Sequence, residues 1–417
     1  MRQIHKKRRS GWFLTIFLFV VIFAGGWRYF EMKDEKTDKM DDKLTVEVSQ
    51  DSKLPVENNV VKNVTFFEDF SDIEAKVDVL VDQMTIEEKI GQLMVIGFQD
   101  NKVNNHIRTM IEDYHVGGII YFDRNMVNPT QVATLTDQLQ RVSIDKKLEI
   151  PLSVSIDQEG GNIVRMRDQF PETPSQQSLG LKNDSNLIYN TAATTAKELV
   201  KMGINSNYAP VLDLSSTDSR SFGTDPEKVA DYGKEVVKAF NDQGVSASLK
   251  HFPGNGRSDV DPHFETSSVQ AEKAELENSD IYPFKRIIEE INHNQFSVMV
   301  THIKYPAYDS ENPASVSSKI VTDLLRNQLG FEGVVITDDL EMGAVSKYVE
   351  YRDVGVKALQ AGVDILLVCH TQEYQIEVYN GIIEAINNNI LTEARIDESV
   401  KRVLRAKLQS AEIMKLK

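Results

Sequence analysis

From residue 73 onward, short apolar runs alternate with longer stretches whose apolar positions recur at helical spacing. The runs are Leu93-Met94-Val95-Ile96-Gly97, Gly118-Ile119-Ile120-Tyr121-Phe122, Leu152-Ser153-Val154-Ser155-Ile156, Tyr208-Ala209-Pro210-Val211-Leu212, Val245-Ser246-Ala247-Ser248-Leu249, Ser297-Val298-Met299-Val300-Thr301, Val334-Val335-Ile336 and Ile365-Leu366-Leu367-Val368. Each is short enough for a buried strand. Residues 73–91 read as one helix, with Val77, Leu80, Val81, Met84 and Ile90 on a single face. Further amphipathic stretches cover 187–202, 226–243, 279–292 and 317–329, and a charged helix from Thr392 to Met414 closes the body. Eight strands alternating with helices predict a parallel sheet covered by helices. Eight within one body of this length favour an α/β fold of the closed (β/α)8 TIM-barrel type, a single domain over 73–417.

The chain before the barrel changes character twice. Residues 31–72 are polar and charged without periodicity and read as a flexible acidic linker, whose apolar piece Val64-Thr65-Phe66-Phe67 is a candidate to dock on the body. Residues 1–30 place Arg2, Lys6, Lys7, Arg8 and Arg9 ahead of an apolar stretch from Trp12 to Trp27. A basic flank before an apolar core signals export. The stretch reaches spanning length only if extended to Phe30, with Arg28 snorkelling. We read it as an uncleaved signal-anchor, which expects a membrane-attached protein with an outward-facing body. Cleavage near Ala24-Gly25-Gly26 would give a secreted one.

Composition narrows the function classes. A net charge of −16 is a poor match for nucleic acid, so DNA and RNA are not expected partners. The single cysteine, Cys369, lies in an apolar run and reads as a buried hydrophobe. Neither a Cys-x-x-Cys pattern nor a histidine pair at helical spacing occurs, so neither a metal nor another cofactor is expected.

Candidate chemistry collects at the ends of the predicted strands. Asp157 ends the third, Lys250 and His251 the fifth, His302 the sixth and Asp338 the seventh. In this architecture that rim carries the active site. Charged groups following buried strands must pair or meet a polar ligand. The loop after Lys250 ends in Asp261-Pro262-His263, close enough for the carboxylate to hold one ring nitrogen and leave the other for proton transfer. A nucleophilic carboxylate and a histidine acid on neighbouring strand ends would make a site for breaking acetals. Gly254 and Gly256 give that loop conformational freedom. Adjacent side chains on a strand point to opposite faces, so only one of Asp338 and Asp339 is expected to face the site. Glu159 reads as structural, His302 as either a pocket residue or a satisfied core histidine, and the role of His370 is open.

The motifs Asp157-Gln158-Glu159-Gly160-Gly161, Arg220-Ser221-Phe222, Lys250-His251-Phe252-Pro253-Gly254 with the Asp261-Pro262-His263 ending, and Thr337-Asp338-Asp339-Leu340-Glu341-Met342 resemble those of the family 3 glycoside hydrolases, β-N-acetylhexosaminidase branch, over residues 75 to 410. The resemblance implies Asp338 as nucleophile, His263 as general acid then base, and Asp261 as its orienting partner. It implies Asp157, Arg165, Arg220, Lys250 and His251 as groups that hold the sugar, and retention of anomeric configuration through a glycosyl-enzyme. Two positions depart from the pattern: Asn255 stands where histidine is usual and Pro262 where serine is usual.

The expected activity is exo-cleavage of terminal β-linked GlcNAc from cell-wall-derived or related glycans. Two alternatives are a β-N-acetylglucosaminide phosphorylase using the same site and a non-catalytic glycan-binding surface protein on an enzyme fold.

Overall fold

A computed structural model of the chain describes residues 64–258, 267–346 and 349–414. Within them eight strands form a closed barrel in chain order: β1 Met94–Ile96, β2 Gly118–Tyr121, β3 Ser153–Ile156, β4 Ser206–Asn207, β5 Ser246–Phe252, β6 Phe296–Val300, β7 Val335–Asp339 and β8 Ile365–Val368. All neighbours pair in parallel, and β1 closes against β8 with Val95 opposite Leu367. This is the predicted TIM-type barrel.

Two expected elements differ. The helix expected over 73–91 is two helices, Ile73–Gln83 and Ile86–Gln92. Met84 turns extended, and Thr85 starts the second helix with a capping box: its hydroxyl accepts from Glu88 N–H while the Glu88 carboxylate accepts from Thr85 N–H. The apolar stripe runs through the break, so periodicity could not reveal it. The fourth strand is Ser206–Asn207 rather than 208–212. Pro210 has no N–H to donate, and the segment follows β5 through Ser248 N–H to Ala209 O and Leu212 N–H to Lys250 O.

The core divides into two layers. Between sheet and helices, stripes such as Ile188, Ala192, Ala196 and Leu199 of the helix Ser185–Lys201 pack on the outside of the barrel. A separate cluster of Val95, Ile120, Tyr208, Met299, Ile336, Leu367 and Cys369 fills the interior and forms the floor beneath the strands' C-terminal ends. At the opposite end the helix Glu393–Met414 lies across the strand starts. Its buried Lys407 amine donates to Gln92 Oε1 at 2.8 Å, Gly117 O at 2.8 Å and Pro151 O at 2.9 Å, tying down the chain just before β1, β2 and β3. Phe66 is buried on the body, its N–H bonded to Leu148 O. The basic and apolar segment 1–30 lies outside the described residues, and among those described no helix is long and apolar enough to cross a membrane.

Candidate active site

The C-terminal ends of the strands open into a cavity of about 600 Å³. It gathers Asp157, Arg165, Arg220, Lys250, His251 and Asp338, every predicted site residue that falls within the described chain. Asp261 and His263 lie outside the described residues.

One wall is a continuous chain of ion pairs running from Asp123 through Arg165, Asp157, Lys250 and Glu159 to Arg220. Lys250, with a side chain 3% exposed, places Nζ 2.8 Å from Asp157 Oδ1 and 2.6 Å from Glu159 Oε1. Arg220 grips Glu159 with both arms of its guanidinium, at 2.8 Å and 2.9 Å. Arg165 reaches Asp157 Oδ2 at 3.6 Å and Asp123 Oδ2 at 3.5 Å. Burial alone would raise the Glu159 carboxyl, but Lys250 and Arg220 outweigh it and hold it down at about 2. Glu159 is therefore the permanent counter-ion that lets two cations stand at the mouth of an apolar barrel.

His251 is set by two partners. Arg220 Nη2, which can only donate, lies 3.3 Å from His251 Nε2. The ring proton is thus on Nδ1, which donates to Asp213 Oδ2 at 2.6 Å. Asp213 also accepts from the backbone N–H of His251 at 3.1 Å and of Asn255 at 2.7 Å. It anchors the start of the loop that carries Asp261 and His263. Asp213 was missed from sequence, although it follows the 208–212 run as the other strand-end acids follow theirs, and that rule could have found it.

Lys250 and His251 are adjacent, yet both line the cavity. The β5–β6 register shifts between Leu249 and Phe252, which breaks the strand alternation there. The same happens on β7, where the register against β8 shifts between Ile336 and Asp339. As a result Asp338 and Asp339 both line the cavity, which corrects the expectation that only one would. Their environments differ. Burial would raise the Asp338 carboxyl, but the Asp339 N–H at 2.8 Å from Oδ1 and the Lys250 ammonium help hold it below the usual carboxylate range. Asp339 is occupied instead: Oδ1 accepts from Glu341 N–H at 3.2 Å and Cys369 N–H at 3.1 Å, and Oδ2 lies 3.3 Å from His370 Nε2. The half-exposed His370 lies against Phe122, the rings tilted by 42° with centres 5.1 Å apart.

His302 does not line the cavity; it is fully buried behind β7. The two loop glycines are required for different reasons, backbone conformation at Gly254 and close packing at Gly256. Gly254 has φ +130°, and a side chain at Gly256 would meet Leu214 O at 1.9 Å. Among the described residues no cluster of three or more His, Cys, Asp or Glu could hold a metal ion.

Comparison with known proteins assigns the lineage. Residues 85–406 match the glycosyl hydrolase family 3 N terminal domain. The chain belongs to glycosyl hydrolase family 3. Within that family it is 36% identical over 266 residues to a beta-hexosaminidase of Nitrosomonas eutropha, covering 61% of this chain and 74% of that protein. It is 32% identical over 329 residues to beta-hexosaminidase A of Pseudoalteromonas piscicida, covering 72% of this chain and 54% of that protein. It superposes with a TM-score of 0.76 and 38% identity on the family 3 beta-N-acetylglucosaminidase of a Paenibacillus species, covering 79% of this chain and 63% of that one. The chain thus spans about half the length of the Pseudoalteromonas protein and under two thirds of the Paenibacillus structure.

Proposed function

We propose that this family 3 barrel is an exo-acting, retaining β-N-acetylhexosaminidase that removes terminal GlcNAc from glycans. The observation that carries the reading is the position of Asp338: an ionised carboxylate at a strand end, in one cavity with a chain of paired cations and carboxylates that suits sugar hydroxyls. The names of the relatives supply the sugar class.

In the first step an Asp338 oxygen attacks the anomeric carbon. The bond to the aglycone oxygen breaks, and that oxygen takes a proton from His263, whose imidazolium is supported by Asp261. In the second step His263 accepts a proton from water. The water oxygen attacks the same carbon, and the Asp338 carboxylate leaves. Asp157, Arg165, Arg220, Lys250 and His251 hold the ring. Two displacements give retention.

The cavity lining disfavours phosphate as the acceptor. Among the described residues it presents six carboxylates (Asp157, Glu159, Asp213, Asp218, Asp338 and Asp339) against three permanent cations (Arg165, Arg220 and Lys250). A dianion is repelled there, whereas water is not. Intact charge machinery also argues against a purely binding role. We further propose that the basic and apolar segment 1–30 attaches the enzyme to a membrane with the barrel outside, where cell-wall fragments such as peptidoglycan pieces would be its substrates.

The test is hydrolysis of an aryl β-N-acetylglucosaminide followed by NMR from the first turnover. The β-anomer of GlcNAc should appear first and then mutarotate. An α-anomer at first appearance, or a glycosyl phosphate when phosphate is added, rejects the reading.

A further inference from the structure

We propose that His302 is a positioning residue: a neutral imidazole behind the β7 end whose Nε2–H holds the Asp339 carbonyl and thereby fixes the turn that aims Asp338. The inference rests on Asp338 as nucleophile.

The two residues after β6, Thr301 and His302, are completely buried. A histidine at a strand end fits either the cavity or the core, and this one is buried and does not line the cavity. Its ring is bounded by two oxygens. Nε2 lies 2.9 Å from Asp339 O, and Nδ1 lies 2.7 Å from Ser315 Oγ. A carbonyl oxygen only accepts, so the proton sits on Nε2. The Ser315 hydroxyl can donate to a bare Nδ1, so a neutral ring satisfies both contacts. Ser315 is itself buried, and its N–H is bonded to Thr301 O at 3.0 Å. The ring is therefore held by the strand end from which it grows. Burial pushes His302 below its ordinary value, against the pull of Asp338, in keeping with a neutral ring.

The other end of this contact leads to the nucleophile. Asp339 is pinned from the β8 side through its carboxylate and from the β6 side through its carbonyl. Its N–H then donates to Asp338 Oδ1 at 2.8 Å. That bond occupies one carboxylate oxygen and leaves Oδ2 for attack. Attack on an anomeric carbon needs the oxygen within about half an ångström of its productive place, and a displacement of about 1 Å costs on the order of a hundredfold in rate. His302 thus acts on the reaction through geometry, without touching the sugar and without lending charge.

The test uses His302→Gln, whose amide can place an N–H near Nε2 without charge, and His302→Leu, which supplies no donor. Turnover of an aryl β-N-acetylglucosaminide should fall on the order of a hundredfold in the Leu variant. The inhibition constant of GlcNAc should change less than about threefold, because ground-state holding lies with the other wall. The Gln variant should regain at least about tenfold over Leu. Its acid limb of kcat/KM should coincide with wild type, because a neutral donor replaces a neutral donor. Should the Leu variant fail to fold, judged by circular dichroism, the Gln variant decides alone: activity within about tenfold of wild type and an unmoved acid limb. The inference is overturned if Leu keeps more than half the activity, if Gln is no better than Leu, or if the acid limb of Gln moves to higher pH, which would mean the ring acts as a cation. Asp338→Ala, run in parallel, separates the two claims. If it is inactive while the His302 variants are near wild type, only this inference fails. If it turns over normally, the nucleophile assignment fails first.

Discussion

Replacing Glu159 by glutamine tests the electrostatic logic of the site. The side chain is 2% exposed and accepts from Arg220 twice and from Lys250 once. Its carboxyl is held at about 2 against an ordinary 4.5, a difference of about 3 kcal/mol in favour of the folded, ionised form. The folded value is depressed, so this contribution is present above pH 4.5 and is lost as pH falls from 4.5 towards 2. Glu159→Gln keeps the shape and removes the charge, leaving the Lys250 and Arg220 cations short of a counter-ion. The expected loss at pH 7 is about 3 kcal/mol, which for a barrel of this size lowers Tm by about 4–5 °C. The gap to wild type should narrow steadily below pH 4.5. Activity should fall as well, because Lys250 is drawn towards Asp157 and away from the sugar. Thermal unfolding of both proteins across pH 3 to 7 measures the stability terms. A Tm within about 1 °C of wild type at pH 7, or a gap that stays constant as pH falls, would mean that Glu159 is not the counter-ion of Lys250 and Arg220.

Asp213→Ala strands three donors, the Nδ1–H and N–H of His251 and the N–H of Asn255; it should cost about 2–4 kcal/mol and lower kcat/KM about a hundredfold, seen by calorimetry and steady-state kinetics. Lys407→Met removes the amine bonded to Gln92, Gly117 and Pro151 and should cost about 2–4 kcal/mol in denaturant unfolding. Burial lowers the Lys407 amine to about 7, so the unfolded chain binds more protons between pH 7 and 10.5; wild-type stability should therefore gain on the Met variant as pH rises through that window. His263→Ala should lose on the order of a thousandfold with poor leaving groups and about tenfold with good ones, since a good leaving group needs no proton; equal losses across the series would remove His263 as the acid.

The barrel was legible because its strands are buried on both faces and so stand out as apolar runs between amphipathic stretches. What stayed hidden was set by backbone detail. A continuous stripe masked the Thr85 cap, and Pro210 displaced β4 from its most apolar stretch. The strand-end rule placed Asp157, Lys250, His251 and Asp338 on one cavity. It failed for the Asp338–Asp339 pair because alternation breaks where the register shifts, a property of sheet curvature that no side-chain pattern encodes. It also failed to say which way His302 points: a histidine after a strand fits a pocket or a core equally well until its two partners are seen. The pairing of Glu159 with Arg220 spans 61 residues and depends on tertiary proximity that spacing does not reveal.

In the proposed reaction Asp338 becomes covalently bonded to the sugar. A slow fluorinated N-acetylglucosaminyl substrate with a good leaving group should accumulate the glycosyl-enzyme, which proteolysis and mass spectrometry can locate. One added glycosyl mass is expected on the peptide carrying Asp338, absent in Asp338→Ala. Label on Asp339 or Glu159, or retained-configuration turnover with no label at all, as expected if the substrate's own acetamido group were the nucleophile, would contradict it.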